Sequence, residues 1–202
     1  MAGLNLSPEL SLFPLHTVLF PGGILPLRIF ESRYLDMVGR CLKAAQGFGV
    51  VAIRDGSEVG VADSFAIGTV AEIIDWQREE DGLLGILAVG RRRFEVASRA
   101  RRPDGLYLGQ VTWLDDSPVA LPARHRGLAE VLKTALANAG KEQLRGPSDF
   151  NDAVWVAYRL AEILPIELGA KQALLSVHDP VARLDELGAM LENLVIDGQR
   201  EE

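Results

Sequence analysis

The sequence predicts an α+β protein in which a mostly antiparallel β-barrel over residues 1–118 is followed by a small α-helical bundle over residues 119–202. Two patterns and one boundary support this prediction. Before the boundary, the chain carries short apolar segments that are separated by Gly, Pro and Asp and are not interleaved with helices. After it, apolar residues recur every three or four positions. The boundary itself is the proline-containing stretch 117–122.

Seven segments of the first domain are predicted to be strands because they are short and rich in Val, Ile, Leu and Phe. Their ranges are 10–15, 23–30, 48–53, 65–76, 83–89, 92–97 and 106–114. One helix interrupts them, since apolar residues between Tyr34 and Ala45 recur at helical spacing, and Gly47 is expected to supply the left-handed residue that ends it. Residues 79–82, Glu-Glu-Asp-Gly, are expected to form a hairpin tip.

Four helices joined by short links are predicted in the second domain, and such an arrangement is typical of a bundle. Each is assigned from its apolar spacing and from the residues that suit a helix end. The expected helices are 128–136 closed by Gly140, a helix capped by Ser148 and stopped by Pro165, 170–177, and a helix capped by Asp179 with Pro180 at its first position.

Composition and charge narrow the class of protein. Cys41 is the single cysteine and no export leader opens the chain, so a reducing, cytoplasmic location is expected. The longest apolar stretches, such as 83–90, fall far short of the roughly 20 residues that cross a bilayer, and no membrane association is expected. The net charge of −7 argues against general nucleic-acid binding unless a local basic patch provides it.

No cofactor or metal site is expected from the motifs. Ala135 and Glu142 stand where a phosphate-binding loop requires a glycine and a hydroxyl residue. The three histidines lie far apart in the sequence, and none has Cys, Glu or a second His at metal-ligand spacing. They are His16, His125 and His178.

The sequence favours a protein that is not an enzyme. No Gly-X-Ser-X-Gly elbow is present, and no Ser and Lys lie in a context that suggests an activated pair. Cys41 would act as a nucleophile if the fold placed His16 beside it, which leaves a thiol hydrolase as an alternative. Cys41, however, lies on the apolar face of the predicted helix, where a small hydrophobic residue is expected.

Six arginines fall within twelve residues, and they are the one strong local charge anomaly. If they grip phosphate, the protein is an RNA-binding module, which is a second alternative. Residues 91–93 alternate in direction on a strand, so the run does not form one face. The arginines are Arg91, Arg92, Arg93, Arg99, Arg101 and Arg102, and the acidic residues expected to neutralise them are Asp75, Glu79, Glu80, Asp81 and Glu95. The tryptophans Trp76, Trp113 and Trp155 are expected to be core aromatics.

Three sequence blocks resemble the N-terminal domain of Lon protease, and they occur in the order found in that family. They are FPLHTVLFPGGILPLRIFESRYLDMV at 13–38, VGRRRFEV at 89–96 and LPIELGAKQALLSVHDPVARL at 164–184. One departure is Ser32, where the family often has proline at the start of the first helix. Serine suits a cap or a first turn equally, so this change leaves the resemblance intact.

The resemblance implies a six-stranded barrel of the PUA-like type, a helical bundle behind it, and a role in capturing protein substrates. The partners it implies are unfolded or tagged protein segments, with an adaptor or regulatory role beside a protease. The chain is expected to end after the bundle, without the ATPase motor and the serine and lysine peptidase domain of the full protease. It thus resembles a freestanding recognition domain.

A polypeptide site is expected in a groove where barrel and bundle meet, beside a sheet edge that can accept an added strand. The residues predicted to rim it are Arg28, Glu31, Arg33, Arg92 and Trp155. For the four charged residues, a solvated surface or a structural ion pair is the competing interpretation.

Overall fold

The protein is described by a computed structural model that covers residues 8–58, 62–139 and 148–198. The chain divides into two compact units, one ending at Asp115 and the other beginning at Asp116. In the part of the chain described, the first unit holds six strands and one helix, and the second holds four α-helices and a 3-10 turn. The α+β class predicted from the sequence is confirmed.

The elements follow one another in a simple order. Those of the first unit are β1 (Glu9–Leu15), β2 (Ile24–Ile29), α1 (Ser32–Ala44), β3 (Phe48–Gly56), β4 (Ala62–Arg78), β5 (Leu84–Arg101) and β6 (Tyr107–Trp113). Those of the second unit are the 3-10 turn Ala123–His125, α2 (Arg126–Ala139), α3 (Ala153–Ile163), α4 (Leu168–Ser176) and α5 (Pro180–Gly198). No helix among the described residues is both long and apolar enough to cross a lipid bilayer.

Five of the six strands close into a ring, and the sixth, β2, is attached outside it. The strand order is β2-β5-β4-β3-β1-β6, and β5 also pairs with β6, which closes the barrel. Only β1 and β3 run parallel; every other pairing between these strands is antiparallel. Strand β2 pairs with β5 alone, so within the described sheet its second side is an edge. Closure removes the edges of the other strands.

Strand β5 differs from the prediction, which divided it into 83–89 and 92–97. It is one strand because a bulge carries it past Gly90: Thr69 pairs with Arg93 and Ala71 with Gly90, so β5 has one more residue than β4 between these pairs. A Cβ on Gly90 would lie 2.2 Å from the Phe20 carbonyl oxygen. This glycine therefore permits a close approach of backbone and does not end the strand.

The end of α1 also differs from the prediction. The left-handed residue is Ala45, with φ of 49°, and not Gly47. Gly47 is needed for space instead, because a Cβ there would lie 2.6 Å from the Ala71 carbonyl oxygen. Glycine serves both purposes, and the sequence spacing alone assigned it the wrong one.

Helix α1 packs its apolar face into the core of the barrel. Tyr34 stacks on Phe13 with ring centroids 3.9 Å apart, and Phe13 in turn contacts Phe48 at 5.9 Å. Met37 and Cys41 are buried in the same cluster. The predicted helical periodicity between residues 34 and 45 is confirmed, and burying this face stabilises the barrel.

The second unit is organised around α3, whose Val156, Leu160 and neighbouring alanines are fully buried. Its cap is Asp152, which accepts from the Val154 amide at 3.0 Å, and not Ser148 as predicted. The helix begins later because residues 150 and 151 form a turn and Asp152 itself pairs with Ala120 in an isolated β-bridge. The predicted cap Asp179 is confirmed by its bond from the Val181 amide at 2.9 Å. The predicted terminator Gly140 lies outside the described residues.

A buried arginine joins α5 to the end of α4. Arg183 is fully buried and donates from Nε to the Leu174 carbonyl at 2.8 Å and from Nη2 to the Val177 carbonyl. Its guanidinium lies 4.3 Å from the centroid of the Tyr158 ring, and the Tyr158 hydroxyl donates to Asp116 at 2.6 Å. Arg183 therefore satisfies carbonyls that the helix end leaves without intrahelical donors.

Candidate functional site

A groove of about 1080 Å³ runs beside β2 in the first unit. It is lined by Pro26, Leu27 and Arg28 of β2, by the last residues of β4, by the β4–β5 turn and by the start of β5. Proline has no backbone N–H, and in sheets it is confined to edge strands and bulges, so Pro26 suits a strand with one unpaired side. The groove thus lies across three neighbouring strands, β2, β5 and β4, of which β2 is the edge strand, and its lining is both apolar and charged.

Trp76 lines this groove and is 59% exposed, so the expectation that it is a core aromatic is wrong. It lies at the end of β4, where residues 74–78 are exposed on both faces of the strand. A register shift between Ile73 and Asp75 precedes this segment. The β4–β5 hairpin therefore extends past the core, which leaves Trp76 exposed and Ile74 38% exposed.

Arg28 is exposed and forms an ion pair with Asp81. Asp81 lies in the turn at residues 79–82, where the Gly82 amide donates to the Glu79 carbonyl at 2.9 Å, so the predicted hairpin tip is confirmed. The pair links β2 to this turn, and both residues line the groove. Exposed ion pairs of this kind contribute little to stability, and Arg28 remains within reach of a ligand.

A second cavity, of about 530 Å³, lies where α1 begins and the β5–β6 turn approaches it. Phe30, the residue directly after β2, is 61% exposed at its wall. Arg33 is only 8% exposed; it forms an ion pair with Glu31 at 2.8 Å and donates to the Gly105 carbonyl at 3.1 Å. Glu31 and Arg33 thus form a structural pair that also lines a cavity.

The other two predicted rim residues lie elsewhere. Arg92 places its guanidinium 5.3 Å from the centroid of the Trp113 ring and donates to the Leu114 carbonyl at 3.3 Å, and it lines neither cavity. Trp155 belongs to the helical unit, where it meets Phe150 edge to face at 5.0 Å. The structure therefore brings Arg28, Glu31 and Arg33 to the end of β2; that all five rim one groove stays a prediction.

Cys41 lies in an unfavourable place for a nucleophile. Burial raises the pKa of its thiol, and the nearby Arg40 only partly opposes this. Because the thiolate is the reactive form, a buried thiol with a raised pKa is inert at neutral pH. His16 is exposed, and its backbone amide donates to Glu58. Among the residues with described side chains, no three His, Cys, Asp or Glu are grouped to hold a metal.

Comparison with known proteins decides the family. The model for the ATP-dependent protease La (LON) substrate-binding domain matches residues 9–193. The chain belongs to this family. Lon protease of Escherichia coli K12 is 27% identical over 92% of this chain, and Lon protease of Erwinia amylovora is 25% identical over 92%. The chain spans about a quarter of the length of these curated relatives.

Similar solved structures also come from Lon N-terminal domains. The Lon N-terminal domain protein from Xanthomonas campestris is 40% identical, with a TM-score of 0.77 over 90% of this chain and 98% of that one. The N-terminal domain of the Mycobacterium avium complex Lon protease is 15% identical, with a TM-score of 0.62 over 89% of this chain, which shows a shared fold. The predicted resemblance is confirmed.

In this Lon-type domain, the arginine run is dispersed and not gathered on one face. Arg93 is fully buried, Arg91 forms an ion pair with Glu72 at 2.6 Å, and Arg99 donates to the carbonyls of residues 64 and 65. Asp81, which was expected to neutralise this run, forms its ion pair with Arg28 instead. Arg101 and Arg102 share the second cavity, but the other four arginines do not line it, so the run as a whole does not form one continuous phosphate-binding surface, which weakens the RNA-binding alternative.

The sequence analysis did not place Trp76, Phe30 or Arg101 at the rim of a site, although it considered Arg101 as part of the arginine run and Trp76 as a core aromatic. One available signal was Arg-Pro-Asp-Gly at 102–105, a typical turn sequence between strands. In the structure, it forms the tight β5–β6 turn with Gly105 at φ of 85°. This turn directs Arg101 toward the start of α1, which a sequence pattern does not specify.

Proposed function

We propose that this Lon-type domain is a non-catalytic recognition module that binds extended, apolar segments of unfolded or tagged proteins along the edge of β2. The observation that carries the proposal is the edge strand beside a groove whose wall includes the exposed Trp76. An edge strand offers backbone N–H and C=O groups to an added strand, and the neighbouring apolar surface offers a place for its side chains.

The chemistry of the groove supports a peptide more than a small metabolite. The groove is open, and its larger apolar residues are Pro26, Leu27, Trp76, Ile86 and Leu87, which it combines with charged residues of β4 and the β4–β5 turn. Tryptophan is enriched among residues that dominate binding energies at protein interfaces. Family membership supports the same class of ligand, since the matching family is described as a substrate-binding domain.

We propose further that the bound segments are substrates of proteolysis, for which the domain acts as an adaptor or regulator. Support comes from the curated relatives, which are Lon proteases. The test adds this chain to a degradation reaction that contains a purified Lon protease and an unfolded test protein. Wild-type chain should change the degradation rate, and Trp76→Ala should not.

A peptide titration tests the binding proposal directly. Apolar peptides without tryptophan should shift the emission of Trp76 to the blue, because binding removes this side chain from water. Trp76→Ala should lower affinity by about tenfold or more, as for an aromatic anchor. Leu42→Ala is the matched control, since Leu42 is 40% exposed on α1 and lines neither cavity.

Peptides with methylated backbone amides test the mode of binding. Strand addition requires peptide N–H groups, so methylation of alternate amides should abolish binding in one register and spare it in the other. Equal affinity of wild type and Trp76→Ala would place the site elsewhere. No preference for apolar segments across a broad peptide array would reject the recognition function itself.

A further inference from the structure

The cavity at the start of α1 gathers three arginines from two distant parts of the chain. Arg33 comes from α1, and Arg101 and Arg102 come from the end of β5 and the turn that follows. Arginine guanidinium groups bind carboxylates through paired N–H donors. Their convergence in one concave site is therefore a candidate for anion binding.

Gly105 is the point on which two of these arginines converge. The Gly105 carbonyl accepts from Arg33 Nη1 at 3.1 Å, and Arg101 Nε lies 3.5 Å from the same oxygen. A Cβ on Gly105 would lie 3.2 Å from Arg33 Nη1 and 3.4 Å from Arg101 Nη2. The missing side chain thus allows two guanidinium groups to approach the same place.

The charges of this cavity are not balanced within the described residues. Arg33 forms an ion pair with Glu31, and Arg102 with Asp104 at 3.3 Å. Arg101 has no carboxylate within ion-pair distance in the described part of the chain, and its guanidinium lies 5.7 Å from the centroid of the Tyr107 ring. In addition, Arg33 Nε is buried without a hydrogen-bond partner there. One negative charge would complete the site.

The start of α1 adds to the positive potential at this cavity. The helix begins at Ser32, which lines the cavity; its first turn contains no acidic residue, and the carboxylate of its cap residue, Glu31, forms the ion pair with Arg33. The N-terminal end of a helix carries a partial positive charge and exposed N–H groups. This field acts together with Arg101 on the same anion.

We infer that this cavity binds a carboxylate of the polypeptide that lies along β2. The inference rests on the proposed function and adds a charge requirement to it. Leu27 of β2 lines the large groove, and Phe30, directly after β2, lines the cavity, so the two sites are three residues apart along the chain. At roughly 3.3 Å per residue, an acidic group about three positions from the apolar anchor would reach Arg101.

The test uses peptides of about ten residues with a Leu-Phe anchor, acetylated at the N terminus. The neutral peptide has glutamine three positions from the anchor and an amidated C terminus. Two peptides replace this glutamine by glutamate, one before and one after the anchor. A fourth peptide keeps the glutamine but has a free C-terminal carboxylate. At least one carboxylate-bearing peptide should bind about threefold to tenfold more tightly than the neutral one at low salt. This preference should shrink as salt is raised.

Variants assign the preference to the cavity. Arg101→Gln should abolish the preference for a carboxylate and leave the affinity for the neutral peptide unchanged. Arg91→Gln is the matched control, because Arg91 lies on the same strand, is exposed and lines neither cavity, and its loss changes the net charge equally. It should retain the full preference.

Each other outcome overturns the inference. Equal binding of neutral and acidic peptides shows that the cavity takes no carboxylate, while the recognition function stands. A preference that survives Arg101→Gln places the charge recognition elsewhere. If none of the peptides binds wild-type protein, the proposed function is wrong and the carboxylate site falls with it.

Discussion

Replacing Gly90 by alanine should destabilise the barrel, although the change adds a single methyl group. The new Cβ would lie 2.2 Å from the Phe20 carbonyl oxygen, which is far inside van der Waals contact. The carbonyl belongs to the backbone and the position of a Cβ is fixed by the backbone, so no side-chain rotation can relieve the clash. Either the turn around Phe20 or strand β5 must move.

That movement would disturb two backbone hydrogen bonds. The Gly22 amide donates to the Gly90 carbonyl at 2.7 Å, and the Gly90 amide donates to the Gly23 carbonyl at 2.8 Å. Each such bond contributes about 1 kcal/mol, and forced overpacking costs about 1–3 kcal/mol. The expected loss is therefore about 3–5 kcal/mol, or a fall in melting temperature of about 10–20 °C.

Gly39→Ala is the matched control within the same unit. Nothing lies within 4 Å of a Cβ placed on Gly39, which is in the middle of α1. Alanine in a helix is favoured over glycine by about 0.5–1 kcal/mol, so this variant should be slightly more stable than wild type. The same chemical change thus has opposite signs at the two positions.

Urea and thermal unfolding measure both variants, with circular dichroism following the strand and helix signals. The emission of Trp76 and Trp113 reports on the first unit, and that of Trp155 on the second. Gly90→Ala should shift the transition of the first unit alone. If Gly90→Ala is as stable as wild type to within about 0.5 kcal/mol, the close approach between β5 and the Phe20 turn is wrong.

Two further predictions concern titratable groups. Hydrogen bonds, first from His125 and then from Arg124, lower the pKa of the Asp185 carboxyl, so its contribution to stability is present above the ordinary carboxyl pKa and lost as pH falls through the lowered value. Asp185→Asn should therefore flatten the acid limb of the stability profile of the second unit, and an unchanged profile would contradict this. The thiol of Cys41 is buried and its pKa is raised, so it should react with a thiol reagent at pH 8 at least about 100-fold more slowly in native than in denatured protein. A fast reaction of the native protein would instead support the thiol hydrolase alternative.

Local signals accounted for much of the fold. The helical spacing from Tyr34 to Ala45 and the Asp179 cap need only neighbours in the chain, and both are found as predicted. Strand positions were also anticipated, because short β-branched runs between turn residues favour extended backbone. Two of the errors occurred at glycines. Gly47 and Gly90 are required for space, and a sequence does not distinguish that need from a need for positive φ or for a break.

The amino-acid sequence by itself determined the class of fold, the positions of most helices and strands, and the blocks that identify the Lon substrate-binding family. Only the tertiary structure decided that β5 closes the barrel, that Trp76 is exposed, and that Arg33 and Arg101 meet at Gly105. The physical reason is the separation along the chain over which each interaction acts. Periodicity and caps act over a few residues, whereas strand pairing, exposure and charge clustering depend on groups that are tens of residues apart along the chain.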